Sequence, residues 1–146
     1  MDERAVSQLV GLIIVLAIES TVVASALYVT SVYVDSRVKQ LGVLQAQGVV
    51  NSVANAVTEV AAVGRLFPNM TYSQIISIPV KIGNRCYYLE LTTNAVYANS
   101  TDGSIEVNST TYKVEDLDLG GRVFVSSEEV EVVYENGGVI LRQTRG

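Results

Sequence analysis

Hydrophobic positions along this chain fall into three regimes. From Ala5 to Val34 they are nearly continuous: tyrosines aside, Glu19 is the only ionisable side chain in these thirty residues, and Leu9 to Ile18 is entirely apolar or glycine. About 20 such residues in a helix cross a bilayer, so the stretch predicts one transmembrane span. Its hydroxyls at Ser20, Thr21, Ser25, Thr30 and Ser31 can bond back to the helix's own carbonyls. After Val34 the pattern becomes amphipathic. Val38, Leu41, Val49, Val53, Val57, Val60, Val63 and Phe67 recur at three- and four-residue steps, with one gap across Gln45, while residues such as Lys39, Gln47, Asn51, Asn55 and Glu59 fill the other side. No proline occurs before Pro68, so the expectation is one helix from about Ala5 to Leu66. At 1.5 Å per residue it would be roughly 90 Å long, about three times the hydrocarbon thickness. Residues 35–67 must then lie outside the bilayer with their valine stripe packed on something else. Single glycines at 11, 42 and 48 point to close approach or to local softness.

Past Pro68 the period changes to two. Short runs rich in Val, Ile, Thr and Tyr (72–80, 86–92, 95–97, 104–107, 110–114, 122–125, 129–134 and 139–142) are bounded by Gly83-Asn84, Asp102-Gly103, Gly120-Gly121 and Asn136-Gly137-Gly138. The alternation through Glu129-Val130-Glu131-Val132, then the Asn-Gly pair and Val139-Ile140-Leu141, is a strong hairpin signal. The fold class expected is α+β, one long N-terminal helix followed by a small antiparallel β domain over 68–146, either a two-sheet sandwich or a meander folded over the helix. With no disulfide possible, so small a β domain needs an external layer, and the amphipathic half of the helix can supply it.

Composition removes most chemistry. The 146 residues include no histidine and one cysteine. Imidazole general bases, Ser/His or Cys/His nucleophile systems, an internal disulfide and four-ligand Cys/His zinc sites are therefore excluded. A net charge of -5 disfavours binding to phosphate backbones, so no nucleic-acid partner is expected. The mean hydropathy of +0.32 reflects the concentrated N-terminal segment. Glu115, Asp116, Asp118, Glu128, Glu129 and Glu131 lack the spacing of a calcium loop, and alternation sends Glu129 and Glu131 to one solvated face. Cys86 reads as a small buried hydrophobe. Tyr28 and Tyr33 suit a membrane interface, and the other six tyrosines suit core packing. No enzyme activity, metal or cofactor is expected.

Two features remain. Glu19 in an apolar helix must be neutral, paired or turned toward protein, and a facing helix is the favoured environment. Three sequons, Asn69-Met70-Thr71, Asn99-Ser100-Thr101 and Asn108-Ser109-Thr110, lie near expected strand ends and would carry N-linked glycans if this half lies outside the cell.

Arg4-Ala5-Val6-Ser7-Gln8-Leu9-Val10-Gly11-Leu12-Ile13-Ile14-Val15 is similar to the N-terminal hydrophobic segment of archaeal type IV pilins, with their class III signal peptide. That pattern runs from a charged residue through Ala-Val-Ser-Pro to Val-Ile-Gly-Val-Ile; Gln8 stands where it has Pro. The match covers about a dozen residues closely, and the layout of leader, long helix and β-rich sequon-bearing domain in general. Met1 to Arg4 is too short and acidic for an ordinary secretory signal. The resemblance implies a leader over 1–4, with a prepilin peptidase cutting between Arg4 and Ala5. It implies storage in the cytoplasmic membrane, then extraction by a membrane assembly platform and its ATPase into an extracellular filament of identical copies serving surface adhesion. Leu9, Leu12, Ile13, Leu16, Glu19, Val23 and Leu27 would pack the filament core. A second layout with the same parts is a membrane-anchored β module, similar to stator components of the archaeal motility machinery, that contacts the surface layer.

Overall fold

A computed structural model describes residues 3–111 and 117–144. Its elements are one helix, α1 (Glu3–Leu66), and seven strands: β1 (Tyr72–Ser77), β2 (Tyr87–Leu91), β3 (Ala95–Ser100), β4 (Glu106–Thr110), β5 (Asp118–Phe124), β6 (Glu129–Glu135) and β7 (Gly138–Gln143). The chain divides into two compact units, 1–37 and 38–146.

In the first unit α1 exposes apolar side chains on every side, from Val6 through Leu9, Ile14, Val22 and Leu27 to Val34. The polar side chains of this segment are satisfied on the helix's own backbone. Ser20, Thr21, Ser25 and Thr30 each donate to the carbonyl four residues back, at 2.7–2.8 Å. One helix is long and apolar enough to cross a membrane among the described residues.

The second unit is a helix laid on one sheet. The strand order is β1-β6-β7-β5-β2-β3-β4. All neighbours pair antiparallel except β5 and β7, which run parallel through Asp118–Gly138, Leu119–Val139 and Gly120–Ile140. The second layer is therefore the helix, as in the meander alternative, and not a second sheet as in a sandwich. The inner sheet face presents Leu89, Leu91, Val96, Ala98, Leu119, Val123, Val130, Val132, Val139 and Leu141, and packs with Ala46, Val49, Val50, Val53, Val57, Val60 and Ala61 of α1 into one buried cluster. Tyr87 and Tyr134 fill its ends as the largest fully buried side chains.

The helix stripe differs from the expected one at both ends. Leu41 and Phe67 are 59% and 53% exposed, and Val38 and Val63 are half-buried. Gly42, Ala46 and Gly64 take the buried places. The cause is distance: a Cβ on Gly42 would stand 2.5 Å from Ile105 Cδ1 and 3.0 Å from Gly83 Cα, and one on Gly64 would stand 2.3 Å from the Tyr134 ring. At these two contacts α1 comes too close to Ile105, Gly83 and Tyr134 for a larger residue.

Two turns match their sequence signals. Asn136 (φ 52°) and Gly137 (φ 82°) form the two-residue link between β6 and β7, the left-handed pair a tight hairpin requires. Gly83 (φ 53°) and Asn84 (φ 63°) close a second turn, held by reciprocal Ile82–Arg85 backbone bonds of 3.0 and 2.9 Å. The Gly83 N–H also donates to Gln45 Oε1 at 3.0 Å, tying this turn to α1 beside Gly42.

Candidate functional site

The apolar helix surface is the first candidate. Leu9, Leu12, Ile13, Leu16, Glu19, Val23 and Leu27 share one face at steps of one, three and four residues. The six apolar members are between 52% and 67% exposed. Val10, Val15, Ile18 and Val22 continue the apolar surface around the other side, and Glu19 is exposed within it. A helix apolar all round must lie in lipid or among other helices. Arg4 and Ala5 lie in the first turn, and their side chains fall outside the described residues. At the other end of the unit Arg37 Nε donates to the Tyr33 hydroxyl at 3.0 Å, and the guanidinium carbon stands 5.1 Å from that ring's centroid. A phenol and a cation in contact at the end of an apolar run suit a bilayer interface.

The outer sheet face is the second candidate. Cross-strand partners Phe124, Tyr88, Asn99 and Glu106 form one row across β5, β2, β3 and β4, and Arg122, Glu90, Tyr97 and Asn108 form the next. Tyr88 packs on Phe124 at 5.1 Å between centroids, with Arg122 4.6 Å from its ring centroid. Tyr88 and Tyr97 are therefore half-buried on the outer face, and Tyr72 is 40% exposed, so these three depart from the expected core assignment. Cys86 is also only half-buried. Tyr112, Glu115 and Asp116 lie outside the described residues.

The three sequons differ in setting. Asn69 is exposed in the turn after α1, where the Met70 N–H donates to the Phe67 carbonyl at 3.0 Å. Asn99 is half-buried near the end of β3, with Oδ1 closed off from solvent and no hydrogen-bond partner for that atom. Asn108 is exposed in the middle of β4, because the two runs expected on either side of it are one continuous edge strand up to Thr110. Beside β4, a cleft of about 540 Å³ is lined by Asn51, Ala54, Asn55 and Thr58 of α1 and by Ser109 and Thr110.

The loop joining β3 to β4 is tightly bonded. Asp102 Oδ1 accepts from the Ser100 and Ser104 hydroxyls, each at 2.7 Å, and from the Ser104 N–H at 3.1 Å; Arg85 Nε stands 2.6 Å from Oδ2. The Ser104 and Ser100 hydroxyls, then the Ser104 N–H, hold the Asp102 carboxyl well below the usual carboxylate range, with a smaller contribution from Arg85. Burial pushes the Tyr87 phenol above its usual range, and its hydroxyl donates to the Pro79 carbonyl at 2.6 Å. Both are structural roles: the Tyr87 hydroxyl is committed to a carbonyl inside the fold. Among the described residues no group of three or more Cys, Asp or Glu could hold a metal ion. No protein-family model, curated protein or solved structure matches this chain.

Proposed function

We propose that this chain is the structural subunit of an extracellular type IV pilus-like filament, polymerised through the 5–34 segment of α1. The observation that carries the proposal is the apolar surface of that segment, exposed on every side and broken by the single carboxylate of Glu19, on the same helix whose later residues complete the core of a β domain. Once such a segment leaves lipid it must be buried again. Packing against the same segment of neighbouring copies does this, with Leu9, Leu12, Ile13, Leu16, Val23 and Leu27 in helix-to-helix contact. Glu19 then meets a neighbour inside the core and sets axial register at some cost in stability. The β domains form the outer layer, carry N-linked glycans and make the adhesive contacts.

The similarity of residues 4–15 to archaeal pilins supplies the route. A prepilin peptidase cuts between Arg4 and Ala5, the chain waits in the cytoplasmic membrane, and an assembly platform with its ATPase draws it into the filament. The role is structural, with no cofactor and no nucleic-acid partner. Gln8, in the place of the pilin proline, favours a second reading, a stationary membrane anchor whose β domain binds the surface layer. Intact mass and N-terminal peptide mapping of sheared extracellular material and of membranes separate the two. An N-terminus at Ala5 enriched in the sheared fraction supports the filament subunit; one at Met1 confined to membranes overturns it and leaves the anchored module.

A further inference from the structure

Two of the three sequon asparagines share one face of the sheet. In the antiparallel pairing of β3 with β4, Tyr97 stands opposite Asn108 and Asn99 opposite Glu106. Directly opposed side chains stand on the same face with Cβ atoms about 4.5–5.5 Å apart. Val96, Ala98 and Ser100 are buried on the helix side, so Tyr97, Asn99, Glu106 and Asn108 all belong to the face turned away from α1. Asn99 and Asn108 are then diagonal neighbours, about 7–8 Å apart between Cα atoms. Two oligosaccharides rooted that close together would compete for the same space above the sheet.

Their surroundings decide between them. Asn99 sits between Tyr88 and Glu106 with one end of its amide closed off. The rest of its sequon is locked: the Ser100 hydroxyl donates to Asp102 and accepts from the Ile105 N–H at 2.9 Å, and the Thr101 N–H donates to the Cys86 carbonyl at 2.9 Å. Asn108 is exposed on β4, which among the described residues pairs with β3 alone, so a transferase reaches it by displacing few bonds.

We infer that Asn108 carries an N-linked glycan whose first sugar rests on the Tyr97 ring, and that Asn99 stays unmodified. The inference rests on the extracellular placement of the β domain proposed above. The donor is a lipid-phosphate-linked oligosaccharide. Asn108 Nδ2 bonds to the anomeric carbon and gives up one proton, and the sugar's bond to phosphate breaks with the electron pair leaving on the lipid phosphate. The C–H face of the sugar meets the electron-rich face of the phenol. It also covers the edge of β4 that has no strand partner among the described residues and would otherwise be a template for another strand.

The test is glycopeptide mass mapping of the full chain in detergent, followed by thermal melts of wild type, Tyr97→Leu, Asn108→Gln and the double variant, with and without the host's oligosaccharide transferase. The expected result is hexose-scale mass on Asn108, none on Asn99, and a Tyr97→Leu loss in midpoint several degrees larger when Asn108 can be glycosylated. That excess vanishes without the transferase. Thr110→Ala, which removes the sequon and keeps Asn108, should reproduce Asn108→Gln. A bare Asn108, a glycan on Asn99, or additive losses would overturn the inference. The readout is the same for chain from filaments or membranes. A glycosylated chain confined to membranes overturns only the filament, and a filament chain with bare Asn108 overturns only this inference.

Discussion

Gly48 and Gly64 stand in the same helix, yet their surroundings are opposite. A Cβ on Gly48 meets nothing within 4 Å, whereas one on Gly64 would lie 2.3–2.5 Å from three atoms of the buried Tyr134 ring. Gly48→Ala should therefore stabilise the chain by up to about 1 kcal/mol through helix propensity. Gly64→Ala should cost about 1–3 kcal/mol, because a ring in a packed core has little room to move. Thermal melts of the full chain in detergent check both signs. Tyr87→Phe keeps the ring but removes its hydrogen bond to the carbonyl of exposed Pro79, and should cost about 0.5–1.5 kcal/mol in the same assay. Asp102 carries a pH prediction. Its folded pKa lies below the unfolded value, so its contribution is present above about pH 4 and is lost as pH falls through the folded pKa. Acidifying wild type below that point should lower its midpoint more than it lowers that of Asp102→Asn.

At the scale of elements, the sequence discloses type and order better than contact. The helix is legible because apolar residues recur without a breaker up to Pro68, and the β6–β7 hairpin because Asn136-Gly137 can take the left-handed turn. The edges of the helix stripe are not legible. Hydrophobic size favours Leu41 and Phe67, but proximity to Ile105, Gly83 and Tyr134 selects Gly42 and Gly64, and that proximity comes from residues distant in sequence. The β5–β7 pairing is hidden for the same reason. Alternation says which face a residue takes but not which strand lies beside it, and the β6–β7 hairpin inserts between β1 and β5. Sequons are visible as strings, but the difference between Asn99 and Asn108 appears only with cross-strand register.

For the whole molecule, two units have different needs. The 38–146 unit buries its own apolar residues, helix against sheet. The 1–37 unit buries none of the large apolar side chains between Leu9 and Val34, the pattern of a helix that lies in lipid or among other helices. Glu19→Leu separates these environments: it should ease membrane retention while reducing filament yield or register, and filaments formed in normal number and order would show that Glu19 has no part in assembly. The most direct measurement is a helical reconstruction of fibres from sheared extracellular material. A filament built as proposed shows a core of packed helices from this chain's residues 5–34, with Leu12, Leu16, Val23 and Leu27 in contact between copies and the β domains outside. Fibres whose core belongs to another sequence, with this chain left in the membrane, would contradict it.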